Sequence, residues 1–199
     1  MNIKILTFAD LHGASDFYDI DSLESVCSES DIIVSLGDNR QNDIQFIEEL
    51  AEIHNKPLYG VLGNHDLVEW FNSDIFNDVN GVLDEINLDK DYTITGMEGS
   101  LSTERFRDSY ANQQDSVEYA STLKPAHILL SHDGPYRDGF GGLKGVKQYI
   151  LNNKPVLSLH GHQHFNDMWY LGKTAVICCK GIVYIDVKDN NVDVDVIEE

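Results

Sequence analysis

Short apolar runs recur along the first two thirds of the chain, and each gives way to a stretch of helical period. Residues 3–9 precede a helical pattern at 22–28, residues 32–36 precede one at 43–53, and residues 57–62 precede a helical start near Leu67. Short runs rich in β-branched residues fit buried strands, and their alternation with helices predicts βαβ units and a parallel or mixed sheet. Residues 81–99 read as strand-like and turn-rich, and residues 114–123 as helix. Residues 126–131 and 155–160 form two more buried-type runs, with a helix at 142–152 between them. After His164 the pattern changes to consecutive short strands at 168–171, 174–179, 182–187 and 192–197. That change from alternation to meander predicts a second sheet packed on the first, giving an α/β sandwich of two sheets with helices outside.

No linker, low-complexity tract or fixed-period repeat interrupts the pattern, so residues 1–199 are expected to form one domain. The composition agrees: 42% of the 199 residues are apolar, enough for one core without disulfide or structural-metal staples. The net charge of −20 excludes long polyanions as partners, because Lys and Arg supply that kind of affinity, and it disfavours an anionic membrane surface. The charge is uneven, at −17 over residues 1–99 and −3 over residues 100–199. A surface that assists an anion is therefore expected in the second half, where Arg105, Arg107, Arg137, Lys144 and Lys147 lie.

Cys27, Cys178 and Cys179 are read as buried structural thiols, and the last two, adjacent in a strand, as pointing to opposite faces. With no secretory leader pattern and no apolar run approaching the roughly 18 residues of a membrane span, a reduced, cytoplasmic protein is expected. Oligomeric state leaves no mark on the sequence.

The chemistry lies at the ends of the apolar runs. Five of them finish in metal-capable residues: Asp10-Leu11-His12, Gly37-Asp38-Asn39, Gly63-Asn64-His65-Asp66, His132-Asp133, and His160-Gly161-His162-Gln163-His164. In open α/β sheets the carboxyl ends of strands open onto a shared crevice, so these side chains should converge. Glycines at 37, 63 and 161 fit the sharp turns that would aim them. Any one block alone is an ordinary turn or cap. His162 and His164 are more telling, because residues two apart in an extended segment share a face, as paired imidazole ligands require. Five of the eight histidines, His12, His65, His132, His162 and His164, take ligand-capable places at these ends, and that joint placement carries the signal. His54 and His127 have no such partners and suit dipole or surface roles, while His160 suits packing support. Trp70, Phe71, Trp169 and Tyr170 are read as core or rim packing.

These blocks, in this order over residues 10–164, resemble the calcineurin-like metallophosphoesterases. The resemblance implies a four-layer sandwich of two mixed β-sheets flanked by helices, and a two-metal site. Asp10, His12 and His164 would hold one ion, Asn64, His132 and His162 the other, and Asp38 would bridge them. His65 would stay unligated beside the leaving group, with Asp66 supporting it. The mixed N/O set suits Mn²⁺ first, or Fe, Zn²⁺, Ni²⁺ or Co²⁺, over the oxygen-preferring Mg²⁺ and Ca²⁺.

The expected activity is hydrolysis of a small phosphate ester, a phosphodiester ahead of a monoester, by a metal-bridging hydroxide with His65 as general acid. Two divalent ions less two carboxylates and a hydroxide leave a centre of about +1, which a diester monoanion nearly neutralises. Candidate substrate contacts are Arg40, Arg105, Arg107 and Arg137. The continuation Asn39-Arg40-Gln41 lacks the Asp-Arg-Gly of the protein Ser/Thr phosphatases, so protein dephosphorylation is disfavoured. A nuclease, a non-catalytic interaction scaffold and a metal sensor of the same fold remain alternatives, and residues 67–131 carry no substrate motif.

Overall fold

The computed structural model describes the chain except for Asp19, 88–90, 102–109, Asn190 and Glu199. The described residues form β1 (Asn2–Ala9), α1 (Ile20–Glu29), β2 (Ile32–Ser35), α2 (Gln41–Ile53), β3 (Leu58–Gly60), β4 (Phe76–Asp78), β5 (Asp84–Asn87) and β6 (Asp91–Met97). There follow α3 (Gln113–Thr122), β7 (Ile128–Ser131), α4 (Lys144–Asn153), β8 (Leu157–His160), β9 (Asp167–Leu171), β10 (Thr174–Cys178), β11 (Gly181–Lys188) and β12 (Asn191–Glu198). Two six-stranded sheets result, ordered β12-β11-β1-β2-β3-β4 and β5-β6-β7-β8-β10-β9. Both are mixed: β1 to β4 are parallel, with β11 antiparallel to β1 and β12 antiparallel to β11, and β6, β7, β8 and β10 are parallel, with β5 antiparallel to β6 and β9 to β10.

The side-chain period of two explains the layering. In β1, Ile3, Ile5 and Ala9 face the space between the sheets, where they meet Ile32, Val34, Ile128, Leu130, Leu157 and Leu159. Leu6 and Phe8 face the other way, onto Leu23 and Cys27 of α1 and Ile47 and Leu50 of α2. Across the sandwich, Leu129 and Val176 turn outward onto Ala120, Val146, Tyr149 and Ile150 of α3 and α4. Central strands are thus buried on both faces, which is why they read as continuous apolar runs. Helix, sheet, sheet, helix is the four-layer α/β sandwich that the sequence implied.

Three local expectations change. The helical start near Leu67 is one 3-10 turn, Val68–Trp70, too short to bury an amphipathic face. Strand β4 goes unread in the sequence because its three residues show no usable period. The C-terminal meander does not make a sheet of its own. Strands β9 and β10 complete the sheet of β5 to β8, whereas β11 and β12 cross over to pair with β1. Alternation marks a strand but carries no information on which sheet receives it.

Cys27, Cys178 and Cys179 are free and buried, and burial pushes the Cys27 and Cys179 thiols up to about 11 and about 12. Thiols so far above neutrality stay protonated and unreactive. No helix among the described residues is long and apolar enough to cross a membrane.

Candidate metal centre

The strand ends β1, β2, β3, β7 and β8 deliver the candidate ligands to one place. One ligand atom each from Asp10, His12 and His164 lies within 4.8 Å of the others, and the same holds for Asp38, His132 and His162. In the first group the His12 and His164 Nε2 atoms are 3.5 Å apart, and His164 Nε2 is 3.8 Å from Asp10 Oδ1. In the second, His132 Nε2 is 3.1 Å from His162 Nδ1, 3.1 Å from Asn64 Oδ1 and 3.4 Å from Asp38 Oδ2. The Ser100 hydroxyl donates to Asn64 Oδ1 and holds that amide in place.

Backbone geometry marks the same residues. Among the described residues eight non-glycine positions have positive φ, and five of them are Asp10, His12, Asp38, His162 and His164. Left-handed backbone costs an L-residue about 1–2 kcal/mol, and such strain persists where the surrounding structure over-determines it. The glycines make the turns possible. A Cβ on Gly37, itself at φ 92, would strike the Gly63 backbone and come within 2.9 Å of His132 Nδ1. A Cβ on Gly63 would collide with the Asp38 carboxylate.

Buried polar groups fix the ligands. His132 Nδ1 lies 2.8 Å from the Leu36 carbonyl; a carbonyl only accepts, so this nitrogen carries the proton and Nε2 faces the cluster, as a ligating imidazole requires. Asp10 Oδ2 accepts from the His162 backbone N–H at 2.7 Å, and Asp38 Oδ1 from that of His65 at 2.9 Å. Two further carboxylates act as clasps. Asp66 accepts from the N–H groups of Asp38, Asn39 and Gly63, and Asp43 from those of Gly13, Ser15 and Arg40. Asp43 went unnoticed in the sequence, although an acid at the third position of a helix is a capping signal.

The electrostatics show a cluster with charge to be neutralised. Burial pushes the Asp10 carboxyl up to about 7, against the pull of His132, and pushes Asp66 up to about 6 against its backbone hydrogen bonds. Burial alone would lower His132, but its hydrogen bond to Asp38 and the charges of Asp38 and Asp10 carry it up to about 9. Asp38, which burial would raise, is held at about 2 by its hydrogen bond to His132 and the charge of that ring. Burial and the neighbouring His132 lower His162 to about 4. Asp10 Oδ1 is buried without a hydrogen-bond partner. An orphaned carboxylate oxygen facing converging imidazole nitrogens is what a divalent ion would satisfy, and the mixed N/O set fits a transition metal.

The crevice above the cluster encloses about 580 Å³ and is lined by His12, Asp38, Asn39, Arg40, Gln41, Asn42, His65 and Trp70. The His65 ring stands 6.2 Å from that of His12, centroid to centroid. Among the described residues that line this crevice, the cation is Arg40, from the acidic first half. Arg137 instead pairs with Asp167 at 3.2 Å and lies over the rings of Phe140 and Trp169. Arg105 and Arg107 lie outside the described residues. His160 is buried against Trp169 and lowered by burial to about 4, which suits packing support.

The family model for the calcineurin-like phosphoesterases matches residues 3–166. Among solved structures, a protein of Thermus thermophilus aligns at a TM-score of 0.70 with 15% identity, over 98% of this chain and 99% of its own. GAP50, the anchor in the inner membrane complex of Plasmodium, aligns at 0.58 with 13% identity over 97% and 83%. A Streptococcus pneumoniae protein described as a predicted phosphoesterase aligns at 0.51 with 14% identity over 98% and 88%. At these identities the structures speak for the fold alone. No curated protein matches the sequence.

Proposed function

Because the chain belongs to the calcineurin-like phosphoesterase family, we propose that it hydrolyses a small phosphate ester at this cluster, a phosphodiester in preference to a monoester. The observation that carries this reading is the pair of candidate three-ligand groups, each of which lends one side chain, His12 or Asp38, to the same crevice. Asp10, His12 and His164 would hold one divalent ion and Asn64, His132 and His162 the other, with Asp38 between them and Mn²⁺ the favoured metal. Such ions supply a Lewis acid for phosphoryl oxygens and lower the pKa of a shared water.

The chain's own residues do the rest. The Leu36 carbonyl holds His132 in the ligating tautomer, and the Asp66 clasp fixes the turn that presents Asp38. His65 belongs to neither ligand group, yet its backbone N–H is tied to Asp38 and its ring lines the crevice. In its protonated form it gives its proton to the departing alkoxide, a contribution of roughly 10²–10⁴-fold in rate. Arg40 meets a non-bridging phosphate oxygen at the wall. One guanidinium among the crevice residues suits the single charge of a diester better than the double charge of a monoester.

The test is the hydrolysis of bis-nitrophenyl phosphate and nitrophenyl phosphate by the Mn²⁺-loaded protein, before and after chelation. Faster turnover of the diester, lost on chelation and restored by metal, is the expected result. No turnover of either ester with metal bound would support a scaffold or sensor instead.

A further inference from the structure

The wall of the crevice contains more than a phosphate needs. A volume of about 580 Å³ is in the range that holds a drug-sized ligand, far larger than one phosphoryl group. Trp70 lies on this wall, half-buried, at the end of its single 3-10 turn. It belongs to none of the three core clusters and stacks on no other ring among the described residues, whereas its neighbour Phe71 packs on Phe76 at 4.4 Å. Of the core or rim packing expected for the indole, the structure therefore leaves the rim. A large planar apolar face left at the rim of a polar crevice is unfavourable in water, and a planar ring would cover it.

The rest of the wall fits the same ligand. Arg40 forms no ion pair among the described residues, and its chain lies along Gly13, whose Cβ would come within 3.2 Å of it. It shares the crevice wall with His12, a member of the first ligand group. Gln41 adds an amide at the start of α2, a donor and an acceptor on one flat group. The Asn42 amide nitrogen, by contrast, is occupied by Asp16 and Ser15, and that of Asn39 by Ser35, so these two shape the wall. Asp38 is the one carboxylate among the lining residues.

We infer that the substrate is a phosphate ester whose alcohol carries a planar heteroaromatic ring, as a nucleoside phosphate does: the ring stacks on Trp70, Gln41 reads its edge, and Arg40 meets the phosphate. This deepens the phosphoesterase reading and rests on it. Stacking of a base on an aromatic side chain is worth about five- to 150-fold in affinity. Arg40 and the metal ligands would serve any phosphate equally, so Trp70 determines specificity and takes no part in bond breaking.

The experiment compares adenosine 5′-monophosphate with ribose 5-phosphate, which bear the same phosphate and differ by the ring, in calorimetric titrations of the Mn²⁺-loaded protein. The nucleotide should bind at least about fivefold more tightly. Trp70→Ala should bring it down to the affinity of the sugar phosphate and leave the latter unchanged, and Trp70→Phe should restore most of the difference. Arg40→Ala should weaken both ligands alike. Equal binding of the two ligands, or a nucleotide affinity indifferent to Trp70→Ala, overturns the inference while turnover of bis-nitrophenyl phosphate leaves the parent reading standing. If neither ligand binds and neither nitrophenyl ester is turned over, both readings fall together.

Discussion

Among the individual residues, His65 is the one at which the proposed catalysis can be separated from metal binding. It stands on the crevice wall beside His12 yet outside both ligand groups, so it can be removed without dismantling them. His65→Ala should leave metal content unchanged by elemental analysis. Turnover of an ester with a poor leaving group should fall by roughly 10²–10⁴-fold, and that of an activated nitrophenyl ester by much less. Equal losses on the two substrates would take His65 out of proton transfer. The candidate ligands were legible in the sequence because each sits where an apolar run stops, a one-dimensional mark of a strand end. Arg40, Gln41 and Trp70 were not legible as one wall. Nothing in the spacing of residues 40, 41 and 70 says that the turn after β2 and the turn after β3 face each other; only the parallel pairing of those strands does.

Among the elements, the turns after the strands hold the centre under strain, and buried carboxylates restrain them. Asp66 illustrates this: each of its three backbone bonds reaches the turns after β2 or β3. Asp66→Ala would leave three buried N–H groups unpaired, at about 1–3 kcal/mol each. Its denaturant midpoint should drop by an amount matching a loss of about 3 kcal/mol or more, with weaker metal binding as a consequence of the loosened turn. Unchanged stability with lost activity would instead assign Asp66 a direct part in the chemistry. The elements that the sequence concealed share a cause. Strand β4 and the Val68–Trp70 turn are shorter than a readable period. The division of the meander between two sheets depends on contacts between residues far apart in the chain, such as Ile5 with Ile185.

For the molecule as a whole, the charge of −20 disfavours long polyanions but coexists with a cluster fitted to receive cations and, in the proposed function, through them one small anion. Protons compete for that centre. The His132 pKa is raised to about 9 in the metal-free fold, so its contribution to stability is full below the unfolded value of about 6.5 and is lost as pH rises through about 9. Asp10, raised from 3.8 to about 7, costs increasing stability as pH rises between those two values, mostly before His132 begins to contribute its own loss. Metal binding displaces the same protons and becomes stronger with pH. The gap in melting temperature between Mn²⁺-loaded and chelated protein should therefore widen from about pH 6 to about pH 9, and a constant gap would deny that these groups are ligands. Whether the cluster works as a dimetal hydrolytic centre is decided by following bis-nitrophenyl phosphate turnover as Mn²⁺ is titrated into chelated protein, with bound metal counted per chain. Activity should be absent without metal and complete at two ions per chain; activity that survives chelation, or none with both sites filled, would contradict it.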